Sequence, residues 1–75
     1  MYELEIETKT TLKKIKNPRK ARIRYWVFVD ILQVMDDDGK WHNVCTKPII
    51  TYQDSVIRKI NDAIKNRKKS VYLDI

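Results

Sequence analysis

One glycine, one histidine, one cysteine and two prolines are spread over 75 residues, and each scarcity excludes something. With Gly39 alone, no glycine-rich loop can cradle a phosphate. With Cys45 alone, no internal disulfide can form. A secreted domain of this size usually carries several, so a reducing, cytoplasmic compartment is expected. His42 and Cys45 stand three positions apart, which on a strand turns them to opposite faces. They cannot work as base and nucleophile, and two soft ligands fall short of the four a structural zinc needs. Ser55 and Ser70 flank a helical segment while His42 stands alone, so no serine triad has support. The expectation is a protein without catalytic residues, metal or cofactor.

Long apolar runs are missing too. The longest, Tyr25 to Met35, contains Asp30 and Gln33 and is too short to span a bilayer. The chain opens with Glu3, Glu5 and Glu7, unlike a secretory signal. A soluble protein with no membrane partner is expected. Asp36, Asp37 and Asp38 invite a calcium reading. A loop with its glycine at Gly39 would, however, need oxygen ligands where the chain has Val34 and Cys45. They read as a polar turn.

What is abundant is positive charge: sixteen basic residues against ten acidic, a net charge of +6. That balance favours acidic partners, nucleic acid foremost. Lysine outnumbers arginine eleven to five, which suits loose phosphate attraction better than bidentate base reading. A chain this short makes one domain, residues 1–75, and buries only around 60–65% of its unfolded surface.

Alternation supplies the strands. Tyr2, Leu4 and Ile6 alternate with glutamates, and the pattern runs on through Thr8, Thr10 and Leu12. Asn17-Pro18-Arg19-Lys20 reads as a turn, residues 21–35 as one long second strand, and Asp36 to Lys40 as a hairpin turn. Trp41 to Lys47 reads as a third strand that Pro48 ends. Thr51 as cap with Asp54 near the capping-box position predicts a helix start. Tyr52, Val56, Ile57, Ile60, Ala63 and Ile64 fall on its apolar face, and Lys65, Arg67, Lys68 and Lys69 close it. Val71, Leu73 and Ile75 make a last strand. The fold class is therefore α+β: a small antiparallel sheet, β-β-β-α-β, with one amphipathic helix packed on one face.

A symmetric hairpin about residues 17–20 would set Tyr2, Leu4, Ile6, Thr8, Thr10 and Leu12 on one core face with Ile23, Tyr25, Val27, Val29 and Ile31. Leu32 and Val34 would then face outward beside the glutamates. Trp41 is expected near Met35, with a bulge at the aspartate turn as the alternative that would move it and Cys45 to the other face. From Lys9 to Arg24 there are eight cations and no acid, which makes the first hairpin tip a basic finger. The expected contact surface is Lys9, Lys13, Lys16, Arg19, Lys20, Arg22, Arg24, Trp26 and Phe28. Cations there would track phosphates while rings stack on bases, each stacked base being worth roughly 1–3 kcal/mol. The competing reading has Trp26 and Phe28 covered by loop 47–51, by the last strand or by a second subunit in a homodimer.

Over Tyr25 to Ile64 the pattern resembles the arm-binding domains of phage-type tyrosine recombinases, which place a sheet in the DNA major groove. The long first hairpin and the strand Val71 to Ile75 depart from them. In size and layout the chain is also similar to small phage-encoded inhibitors, anti-CRISPR proteins and uracil-DNA glycosylase inhibitors among them. The DNA mimics in that group are acidic, whereas this chain is basic. Two functions follow as expectations: a small non-enzymatic protein that binds nucleic acid or a nucleoprotein, or a phage or mobile-element inhibitor that blocks a host protein machine.

Overall fold

Leu4 and Ile6, alternating with three glutamates, form the first strand, β1 (Glu3–Glu7), in the computed structural model, which describes residues 1–75. The alternation does not continue to Leu12, because the chain reverses at Thr8 to Thr11. Thr8 is buried, and its hydroxyl oxygen accepts the N–H groups of Thr11 (3.0 Å) and Thr10 (3.3 Å). A side chain that captures two backbone donors makes a turn competitive with a longer strand. The strand β2 (Leu12–Lys16) then returns antiparallel to β1, with Ile15 opposite Leu4.

Residues 21–35 are likewise two strands rather than one. β3 (Lys20–Trp26) and β4 (Val29–Met35) form a hairpin with Trp26 opposite Val29. The two-residue turn between them, Val27-Phe28, has both residues left-handed, φ 42° and 68°. That is the turn whose twist matches paired strands, although asparagine and glycine are its usual occupants. β5 (Trp41–Lys47) adds the third strand after the Asp36–Lys40 turn, with Gly39 at φ 81°. The helix α1 (Gln53–Lys65) and the short strand β6 (Ser70–Tyr72) complete the chain. The order is thus β-β-β-β-β-α-β, in the α+β class, with two three-stranded sheets, β2-β1-β6 and β3-β4-β5. Only the β1–β6 pair is parallel.

The split hairpin reverses two face assignments. Because 21 pairs with 34 and 23 with 32, Ala21, Leu32 and Val34 share the inner face, and Leu32 and Val34 are fully buried. Tyr25 and Val27 are not core residues; they are 66% and 63% exposed. The expected pairing across residues 17–20 is absent, since that segment passes from one sheet to the other. Trp41 does sit opposite Met35. The bulge lies between Leu32 and Gln33 rather than at the aspartate turn, and it turns both Val44 and Cys45 inward.

One core of thirteen residues joins the sheets to α1 through Val56, Ile60 and Ala63. Tyr52 is no part of it: 84% exposed and left-handed (φ 54°), it is the N-cap itself, so the Thr51 cap is not realised. The helix stops at Lys65 with Arg67 left-handed (φ 49°) where glycine is usual. Arg67 N–H donates to Ile64 O (3.1 Å) and Lys68 N–H to Ala63 O (2.9 Å), which completes a Schellman motif. The Arg67 guanidinium lies 4.9 Å over the Tyr2 ring, whose hydroxyl donates to Lys68 O at 2.6 Å. The helix end is therefore pinned to the start of β1. Val71, Leu73 and Ile75 follow the expected alternation, and β6 forms beside β1.

Burial pushes the Cys45 thiol above its ordinary range, with Lys47 opposing weakly. A buried, protonated thiol is a poor nucleophile. Cys45 is expected to react with iodoacetamide only as fast as the domain opens, and promptly in denaturant. Rapid labelling of the folded protein would contradict this packing.

Candidate nucleic-acid interface

The pleat of β3 sends Ala21 and Ile23 inward and Lys20, Arg22, Arg24 and Trp26 to the opposite face. On β4 the same face carries Val29, Ile31, Gln33 and Met35, and on β5 Trp41, Asn43 and Thr46. No carboxylate occupies any of these outward positions. Arg22 is organised there. Its guanidinium lies 3.9 Å over the Trp41 ring, its Nε donates to Gln33 Oε1 (2.8 Å), and Gln33 Nε2 donates to Asn43 Oδ1 (2.8 Å). One polar chain thus spans three strands and lays Arg22 flat across the sheet. With Nε committed, its terminal nitrogens remain as donors to an oxyanion. Lys20 and Arg24 are exposed on either side.

The nine expected contact residues do not form one surface. Lys20, Arg22, Arg24 and Trp26 are together on β3, and Phe28 tops the hairpin they lead to. Lys13 and Lys16 belong to β2 in the other sheet, and Arg19 lies in the segment linking β2 to β3. Lys9 sits in the β1–β2 turn, 3.3 Å from Asp74. The basic finger is therefore not a hairpin tip, because residues 17–20 bridge two sheets instead of closing one. Charge on the first sheet is balanced as well: Glu3 faces Lys16 and Glu5 faces Lys14. Trp26 and Phe28, 59% and 81% exposed, are covered by neither loop 47–51 nor the last strand.

Three partners in this face were missed by sequence reasoning: Gln33, Asn43 and Trp41 as the platform of Arg22. Had the turn been set at Val27-Phe28, Arg22 and Gln33 would have been recognised as opposite one another, each being five residues from it. Also missed was Asp30, a buried carboxylate. It accepts the N–H of Ile50 (2.8 Å) and Nε2 of Gln53 (3.1 Å), which ties the turn-proximal start of β4 to the segment entering α1.

At the other end of this sheet the three aspartates bring their carboxylates together. Asp36 Oδ1 accepts the N–H groups of Asp38 (2.9 Å) and Lys40 (3.0 Å), and Oδ2 accepts from His42 Nε2 (2.6 Å). The His42 hydrogen bond, then the Lys40 N–H, hold the Asp36 carboxyl below the usual aspartate range. A carboxyl depressed on folding adds stability above its unfolded pKa and loses it as pH falls through the folded value. The Asp36 contribution is thus expected to be intact at pH 6 and to disappear on acidification below about pH 4. Comparing urea midpoints of the protein and Asp36→Asn across that window checks it, with the difference shrinking at low pH.

No helix is long and apolar enough to cross a membrane. Comparison with protein-family models, with curated proteins and with solved structures returns no match to this chain.

Proposed function

We propose that this protein is a small non-enzymatic module of a reducing cytoplasm that binds nucleic acid through the outward face of β3, β4 and β5. One observation carries the reading: three cations alternate along a strand, on a sheet face without a carboxylate, and end at exposed aromatic rings. Phosphates would meet Lys20, Arg22 and Arg24, and Trp26 offers a base a ring to stack on. Attraction of this kind is mostly electrostatic, with a non-specific Kd of roughly 10⁻⁴–10⁻⁶ M. Fluorescence anisotropy at low salt with single- and double-stranded DNA and RNA tests it. Silence with all four would overturn it.

A second reading has its own support. Tyr25, Trp26, Val27 and Phe28 form four consecutive exposed apolar residues, a feature suited to protein contact. An inhibitor from a phage or mobile element that blocks a host machine by protein–protein contact would use that tip. Pull-down from a nuclease-treated lysate separates the two, since only a protein partner survives the treatment. Light scattering on the purified chain answers the homodimer alternative.

A further inference from the structure

Val27 and Phe28 are costly residues where they stand. Left-handed backbone is disfavoured for a β-branched or bulky side chain. Neither side chain is recovered by the core, as both remain well over half exposed. The tip is not a loose loop, because two residues further on Asp30 fastens the hairpin to Ile50 and Gln53. Two apolar side chains are thus held out in water by a rigid, strained turn, and strain of this kind gathers where a ligand is met.

Charge indicates what they meet. No acid occurs from Lys9 through Val29, Asp30 is buried in its hydrogen bonds, and Asp36 to Asp38 lie at the far end of β4. Outward positions on a strand repeat every ~6.8 Å, so Lys20 to Arg24 spans ~14 Å, about four base-pair rises of a duplex. An apolar point at the end of a cationic strand is complementary to a base step flanked by phosphates. Apolar side chains inserted at such steps unstack them and kink the duplex by roughly 20–90°.

We infer that Phe28, backed by Val27, is a wedge that enters a base step of double-stranded DNA and bends it, while Lys20, Arg22 and Arg24 hold the adjoining backbone. This rests on the nucleic-acid reading above and names its substrate as duplex DNA.

The test uses the full chain and a 30-base-pair duplex carrying a donor and an acceptor dye at its ends. Binding is read by anisotropy and bending by energy transfer. The unaltered protein is expected to bind and to raise energy transfer. The double variant Val27→Asn/Phe28→Gly has the residues this turn prefers, so it should fold at least as well. It should bind within about tenfold of the parent, a loss of about 1.4 kcal/mol or less, and leave energy transfer at its free-duplex value. Phe28→Ala should do the same. If the parent binds the duplex without bending it, or the double variant still bends it, the wedge is wrong while nucleic-acid binding stands. Binding to single strands or RNA alone has the same meaning. Failure to bind any nucleic acid overturns both, and capture by anionic lipid vesicles in its place would reassign the tip to a membrane surface.

Discussion

Leu32→Ala is expected to lower the melting temperature by about 8 °C or more, whereas Val27→Asn should leave it unchanged or raise it. Leu32 is fully buried at the centre of β4, facing Ile23 on one side and Cys45 on the other. Truncating a buried leucine to alanine costs about 2–5 kcal/mol once the cavity is included. A domain of this size has about 4–11 kcal/mol in all, at 0.05–0.15 kcal/mol per residue. Each kcal/mol shifts the midpoint of so small a domain by about 4–8 °C. Val27 lies at the other extreme, exposed and left-handed, so asparagine there relieves strain and removes no packing. Circular dichroism melts of both variants decide the matter. A single strand over residues 21–35 requires the opposite ranking, with Val27 inside and Leu32 outside, so a neutral Leu32→Ala would refute the hairpin.

Lys20→Glu combined with Arg24→Glu is expected to abolish nucleic-acid binding without unfolding the protein. Both side chains are exposed and neither takes part in a side-chain ion pair or hydrogen bond, so the reversal leaves the core untouched. Arg22 is left alone because it braces Trp41 and Gln33, and its loss would confuse packing with binding. If three phosphates are neutralised, affinity should fall about 40-fold between 50 and 200 mM salt, from a slope near −2.7. The double reversal removes two of those three cations and adds two repulsive charges. Anisotropy titrations at both salt concentrations, with circular dichroism as the control for folding, provide the check. Retained affinity in the variant would move the contact to other cations, Lys13 and Lys16 on β2 or the cluster after α1.

Composition and local pattern were enough to read the material of this protein and much of its local order. The glutamate alternation placed β1, Pro48 closed β5, and the spacing of Val56, Ile60 and Ala63 oriented α1 against the core. The shortage of glycine, histidine and cysteine set the expectation of a binding protein. Where alternation ran unbroken, however, it could not say where the chain turns back. Leu4 to Leu12 and Ala21 to Met35 keep their period of two through a reversal, since a two-residue turn preserves the inward–outward rhythm while exchanging which residues carry it. Neither turn has the glycine or asparagine that would have marked it. The Thr8 hydroxyl closes one, and the other is held by seven paired residues on each side despite two left-handed side chains. The two-sheet arrangement, the burial of Leu32 and Val34, and the separation of Lys9, Lys13 and Lys16 from the face of Arg22 emerge only from the folded chain. Strand pairing and core burial are non-local. Their free energy outweighs the turn propensities of a few residues, and a pattern read along one chain does not contain it.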